Sequence, residues 1–285
     1  MPLVTSKEML LKAQGEGYAV CAFNAENMEM VQAIVAAAER LSSPVIIQTT
    51  PSTVDYAGLD YFYAMAAVAA SAASVPVALH LDHGNSFALA CRAIRAGYTS
   101  VMFDGSKYPF GENASLTAKV VELAKTVSIP VEGELGCVGG KEDDTEAGGS
   151  GYTVPEEAAS FVGLTGVDSL AVGIGTAHGF YAGTPVLDVR RLSQIRELVP
   201  VPLVLHGATG LAGEAIVECI RRGICKVNFA TELRAEFTKA VRKTLEQDSA
   251  VVDVKAYGKA ARQAVMELAM RKIEITGSAH KSPGI

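Results

Sequence analysis

The residues able to do chemistry fall in short polar clusters, each closing an apolar run. The best defined is His80-Leu81-Asp82-His83-Gly84, which ends the run Val77-Ala78-Leu79. Alternate residues of a strand share a face, so His80 and Asp82 should point together while His83 swings out as the backbone turns at Gly84. Other runs end at Asn24, Thr49-Thr50, Asp104, Glu132 and Glu134, His178, His206-Gly207 and Asn228. Four of the five histidines lie in or beside these clusters. Catalytic zinc is commonly held by three protein ligands with one open position, and His83, His178 and His206 follow three different runs. His80, one layer deeper, would orient Asp82 or a metal ligand.

Turns of small residues accompany the late clusters: Gly175-Thr176-Ala177-His178-Gly179, His206-Gly207-Ala208-Thr209-Gly210 and Val227-Asn228-Phe229-Ala230-Thr231. Backbone N–H groups and hydroxyls in such turns can receive a phosphate. The acidic, glycine-rich segment 139–151 reads either as a surface loop or as a lid that carries a carboxylate to the substrate and excludes water. A metal that polarises a carbonyl, with one base and one acid to move protons, is the equipment of aldol cleavage. Two other readings stay open: Schiff-base catalysis at Lys226, and a catalytically silent sugar-phosphate-binding subunit.

What must position these clusters is a repeating plan. Strand-like apolar runs at 18–23, 44–50, 76–83, 100–104, 130–135, 169–175, 202–207 and 226–230 alternate with helically spaced runs at 28–41, 59–73, 87–96, 114–126, 155–164, 189–198, 213–222 and 232–245. Proline opens four of the strands, at Pro44, Pro76, Pro130 and Pro202, a position where a ladder tolerates it. Gly97 stands where the third helix should stop. Eight such units predict a closed (β/α)8 TIM barrel with a C-terminal helical extension, with an open doubly wound sheet as the competing arrangement. A barrel gathers every strand end on one rim, so the scattered polar clusters would converge there. An open sheet would spread them.

Composition agrees with one α/β domain over residues 1–285. The chain is 49% hydrophobic without a linker-like tract, and its net charge of −6 argues against a nucleic-acid surface. The apolar run 64–73 is too short to span a bilayer, no leader is evident, and a cytoplasmic protein is expected. Cys21, Cys91, Cys137, Cys219 and Cys225 have no paired spacing and read as reduced core filler.

Several strings taken together resemble a known family. His-Leu-Asp-His-Gly at 80–84, Val-Glu-Gly-Glu-Leu-Gly at 131–136, Gly-Gly-Lys-Glu-Asp-Asp at 139–144, Gly-Thr-Ala-His-Gly at 175–179, Leu-His-Gly-Ala-Thr-Gly at 205–210 and Lys-Val-Asn-Phe-Ala-Thr-Glu-Leu at 226–233 are similar to the class II, zinc-dependent ketose-bisphosphate aldolases. The resemblance spans essentially the whole chain and is nearest to the tagatose- and fructose-bisphosphate branches. It implies reversible cleavage of a ketose 1,6-bisphosphate, tagatose ahead of fructose, to dihydroxyacetone phosphate and glyceraldehyde 3-phosphate.

By that resemblance His83, His178 and His206 hold Zn2+, with Asp104 and Glu134 as secondary ligands. Asp82 is the proton donor to the oxygen at the broken bond, Glu142 the base at the dihydroxyacetone phosphate carbon, and Asn24 a support for the enediolate. Gly179, Gly207, Ala208 and Thr209, with Asn228, Phe229, Ala230 and Thr231, match the dihydroxyacetone phosphate site. A monovalent cation, Na+ or K+, and a homodimer or homotetramer are also implied. The chain departs from the pattern at three places: Gly84 looks like the fructose branch, Lys107 replaces a histidine, and Val254-Lys255 replaces a proline-arginine pair. Lys255 and Arg262 are the candidates for the distal phosphate.

Overall fold

Within each strand a period of two is hidden beneath uniform hydrophobicity. The computed structural model describes residues 2–142, 145–147, 151–181, 183 and 185–282, with the side chains of 141–142 and 145–147 outside that description. Its strands, in chain order, are β1 (Val20–Asn24), β2 (Val45–Thr49), β3 (Val77–Gly84), β4 (Ser100–Phe103), β5 (Val131–Leu135), β6 (Gly139–Glu142), β7 (Thr145–Ala147), β8 (Ser169–Val172), β9 (Ala177–His178), β10 (Leu203–Leu205) and β11 (Ile224–Phe229). Eight of them, β1 to β5, β8, β10 and β11, form a closed parallel barrel in which β11 pairs back onto β1. The expected barrel is therefore the fold. β6, β7 and β9 make a separate three-stranded sheet on segments expected to be loop.

Odd-numbered residues such as Cys21, Phe23, Val45, Ile47, Leu79 and Leu81 pack outward in one apolar cluster with the helices. Their even-numbered neighbours Val20, Ala22, Ile46 and Ala78 form a second cluster. That second cluster includes Met9, Leu10 and Ala13 of α1 (Ser6–Glu16), a helix not foreseen, whose buried positions 6, 9, 10 and 13 follow helical spacing. Following the even positions toward the strand ends, the residues turn polar: Ala22 to Asn24, Ile46 to Gln48, Ala78 to His80 and Asp82. Thus α1 and an apolar layer close one end of the barrel, and a polar layer opens the other.

The connecting helices largely follow expectation. α2 (Met28–Arg40), α3 (Pro51–Ala57) and α4 (Leu59–Ala72) precede α5 (Phe87–Ala96), which starts where the Ser86 side chain accepts the Leu89 N–H and stops at Gly97 with φ 102°. α6 (Phe110–Lys125) begins four residues earlier than predicted, directly behind Pro109. α7 (Pro155–Thr165), α8 (Val189–Leu198), α9 (Gly213–Arg221), α10 (Thr231–Gln247) and the C-terminal α11 (Val254–Ile275) complete the set. Among the described residues, no helix is long and apolar enough to cross a membrane. All five cysteines are free; Cys21, Cys219 and Cys225 are buried as expected, but Cys91 and Cys137 are only partly so.

Gly84 shows how tightly β3 is fitted against β4. A β-carbon there would collide with the Met102 carbonyl oxygen and lie 2.9 Å from Leu81 Cδ2. We expect Gly84→Ala to cost about 1–3 kcal/mol in denaturant unfolding, the usual penalty of overpacking. An unchanged midpoint would show that the strand has slack.

Candidate functional site

The strand end that carries Asp82 and His83 is irregular. Pairing of β3 with β4 runs His80 to Ser100 and Leu81 to Val101, then resumes at Gly84 with Phe103. Asp82 and His83 therefore oppose Met102 alone, a β-bulge of the kind that re-aims side chains beside active sites. His83 adopts a left-handed backbone, φ 47°, which costs a non-glycine residue about 1–3 kcal/mol. The turn expected at Gly84 thus falls one residue earlier. It brings His83 Nε2 to 4.0 Å from Asp82 Oδ1, where strict alternation would have sent the two side chains apart.

Asp82 is fully buried. Its Oδ2 accepts from Asn24 Nδ2 at 2.9 Å and from Gln48 Nε2 at 3.1 Å, and its Oδ1 accepts from Asn228 Nδ2 at 3.1 Å. Gln48 also donates to Asn24 Oδ1 at 2.7 Å, because β1 and β2 set these two residues opposite one another. Three amides from three strands therefore fix the direction of one carboxylate. Gln48 was not among the expected residues. Its signal was present as an amide directly before the polar Thr49-Thr50 tip of an apolar run.

The three expected histidines meet. Ligand atoms of His83, His178 and His206 all lie within 4.8 Å of one another, and His83, Asp104 and Glu134 form a second such group. Burial alone would raise the Asp104 carboxyl. Its hydrogen bond and charge contact with His83, with bonds from Ser106, hold it well below the usual carboxylate range. An ionised Asp104 only accepts, so His83 Nδ1, 2.8 Å away, carries a hydrogen toward it. Burial and the neighbouring His83 hold His206 well below the ordinary imidazole value, so it is neutral. Its Nε2 lies 2.8 Å from Glu132 Oε1 and carries the hydrogen, which leaves the lone pair on Nδ1. Asn228 Nδ2 is 3.2 Å from the same nitrogen, but the nearer carboxylate decides the tautomer. His206 Nδ1 and His83 Nε2 stand 2.8 Å apart, so without a metal one hydrogen lies between them, and a cation in its place would meet two nitrogens. A donor set of this type and geometry fits a divalent cation.

Beside the histidines lies a narrow cleft. Asn24, His178, Gly179, Gly207, Ala208, Thr209, Asn228, Ala230 and Thr231 bound it, together with Arg234, which was not foreseen. Gly207, φ 68°, lies so close to the His178 loop that a β-carbon would sit 2.7 Å from Ala177 O. Tyr181, also unforeseen, joins these loops: its hydroxyl accepts from Ala177 N–H at 2.8 Å and donates to Gly207 C=O at 2.7 Å. Phe229 does not bound the cleft. Its ring is buried and stacks on Phe23 at 5.6 Å. Lys255 and Arg262 do not bound it either; on α11 they meet Asp253 at 2.6 Å and Gln32 Oε1 at 2.7 Å.

Glu142 ends β6, and its side chain lies outside the described residues. Its strand is tied to the site nonetheless, since Gly140 pairs with His178 across β6 and β9. His80 does not reach Asp82. Its Nδ1 lies 2.7 Å from Ser100 Oγ, and its Nε2 lies 3.9 Å from Glu132, which in turn contacts His206. Burial first, then the Lys226 ammonium, hold His80 well below the ordinary value of 6.5, despite the opposing pull of Glu132. A histidine kept neutral in the fold but titrating near 6.5 when unfolded takes up protons on unfolding at lower pH, so stability falls as pH falls below that value. We expect the metal-free chain to lose up to about 1.4 kcal/mol per pH unit for each such histidine below about pH 6.5. Denaturant titrations across this range should give a flatter slope for His80→Asn. An identical slope would assign the acid sensitivity to other groups.

Comparison with known proteins shows the family and the fold. The model of the family described as "Fructose-bisphosphate aldolase class-II" matches residues 4–281. The structure of the YdjI aldolase from Escherichia coli K12 is 36% identical over 99% of this chain and 100% of that one, with a TM-score of 0.88. A Coccidioides immitis chain is 32% identical over 96% of each, with a TM-score of 0.90. Fructose-bisphosphate aldolase from Campylobacter jejuni, at 21% identity over 99% and 97% of the two chains and a TM-score of 0.83, shares the fold.

Proposed function

Because the chain belongs to the class-II fructose-bisphosphate aldolase family, and is therefore an aldolase acting on a phosphorylated sugar, we propose that it reversibly cleaves a ketose 1,6-bisphosphate to dihydroxyacetone phosphate and glyceraldehyde 3-phosphate. The convergence of His83 Nε2 and His206 Nδ1 at 2.8 Å, beside an Asp82 clamped by three amides, is the observation that carries this reading. His83, His178 and His206 would hold Zn2+, with Asp104 and Glu134 in reserve. When bound, the ion polarises the ketose carbonyl.

The chain's own residues do the rest. In the cleavage direction Asp82 takes the proton of the C4 hydroxyl as the C3–C4 bond breaks and the aldehyde leaves. Glu142 then delivers a proton to the carbon that becomes dihydroxyacetone phosphate, and the two roles reverse in condensation. Asn24, Gln48 and Asn228 keep the Asp82 oxygens aimed. Gly179, Gly207 to Thr209, Ala230 and Thr231 supply backbone and hydroxyl donors to the phosphate, and Asn228 lines the same cleft. Lys255 and Arg262 are retained for the distal phosphate through a second copy, in a homodimer or homotetramer. A cytoplasmic location and a Na+ or K+ requirement belong to the same proposal.

Schiff-base catalysis is disfavoured, because Lys226 is buried with its Nζ 2.9 Å from Glu132. The test is a coupled assay for dihydroxyacetone phosphate release from tagatose and fructose 1,6-bisphosphates. By the resemblance, Gly-Thr-Ala-His-Gly at 175–179 and Asn-Phe-Ala-Thr-Glu-Leu at 228–233 look like the tagatose branch, so we expect kcat/KM for tagatose at least equal to that for fructose. A strong preference for fructose would reverse the branch, and binding of both sugars without cleavage would favour a silent binding subunit.

A further inference from the structure

A lysine inside a barrel lumen needs a reason, since a buried ion pair by itself adds little stability. Lys226, on β11, reaches across the lumen to Glu132, on β5, which is not a neighbouring strand. Its Nζ donates to Glu132 Oε2 at 2.9 Å, and both residues are at most 2% exposed. The other oxygen of the same carboxylate, Oε1, lies 2.8 Å from His206 Nε2. We propose that the Lys226–Glu132 pair is a positioning unit that fixes His206 in the tautomer whose Nδ1 lone pair faces the ion, and so sets the affinity of the centre for its metal. The inference rests on the metal reading above.

The chemistry follows from counting hydrogens. A carboxylate offers only acceptors, so the nitrogen facing it must carry the proton and the opposite nitrogen must be bare. Lys226 gives the pair its direction: by occupying Oε2 it pins the carboxylate so that only Oε1 remains for His206. It also supplies the charge that lets an anion sit in the lumen without turning toward the ion as a ligand of its own. Carboxylate partners of metal-bound histidines typically contribute 10–100-fold to metal affinity. The other strand-borne histidine near this carboxylate, His80, keeps its Nε2 3.9 Å from Oε2, too far to compete.

Two variants test the proposal on the full-length chain. In Glu132→Gln the ammonium of Lys226 should hold the amide oxygen, which turns the NH2 toward His206 and imposes the opposite tautomer. The double variant E132L/K226M removes both charges together, so no unpaired ion is buried, while His206 loses its acceptor. Zn2+ dissociation constants of metal-free protein, measured by competition with a chromophoric chelator and with folding checked by circular dichroism, are the readout. Both variants are expected to bind zinc about 10–100-fold more weakly than the wild type. A folded double variant with wild-type affinity would reduce the pair to a structural ion pair and overturn the proposal, whatever Glu132→Gln does. A wild-type chain that binds no zinc would overturn this inference and the metal reading together.

Discussion

Replacing Asp82 by Asn is expected to lower kcat for ketose-bisphosphate cleavage by about 10² to 10⁴, with a modest change in KM, the ordinary worth of a positioned acid-base group. The geometry should tolerate the change. Asn228 Oδ1 has no hydrogen-bond partner, so a flip of that amide can accept from the new NH2 while Asn24 and Gln48 still donate to the remaining oxygen. What disappears is the group that exchanges a proton with the C4 oxygen. Proton exchange at the dihydroxyacetone phosphate carbon, assigned to Glu142, should suffer much less than cleavage. Nuclear magnetic resonance of the exchanging C–H against a coupled cleavage assay separates the two. Equal loss of both, or loss of the metal, would make Asp82 a structural residue and require another donor.

Much of this site was legible in the sequence because a parallel barrel leaves two clear marks. Strands buried on both faces read as continuous apolar runs, and their C-terminal ends collect the polar residues that the lumen cannot hide elsewhere. Asn24, Asp82, His83, His178, His206 and Asn228 stand out for that reason. What escaped has physical causes. The bulge that admits Asp82 and His83 together depends on the register of β3 against β4, and register is a pairing property that neither strand reveals alone. Gln48 and Tyr181 each act through a hydrogen bond to a partner 24 or more residues away, Gln48 to Asn24 and Tyr181 to Gly207. The β6 to β9 pairing joins glycines to a two-residue strand, so no hydrophobic pattern announces it. Lys226 stood out in an apolar strand as a Schiff-base candidate, and its partner Glu132 could be named only from the closed barrel, which sets β5 across the lumen from β11.

Metal removal should have the largest effect of any single perturbation. Cleavage leaves an electron pair on carbon, and among the described residues the only positive groups bounding the cleft are Arg234 and any histidine that is protonated. Asp82 and the three amides can move and aim a proton but cannot hold that charge. Without an ion the chain should therefore retain its fold and its cleft and lose turnover, with His83 Nε2 and His206 Nδ1 held together by a hydrogen bond in place of the ion. Mutation of Arg234 would weaken substrate binding in this account, but it would leave metal dependence intact.

The most direct measurement is a zinc titration of chelator-stripped protein, following dihydroxyacetone phosphate release from a ketose 1,6-bisphosphate at each addition. The account predicts no turnover at the start, a rise in proportion to added zinc, and a sharp end near one equivalent per chain. Cleavage at the full rate by protein shown to be metal-free would contradict it.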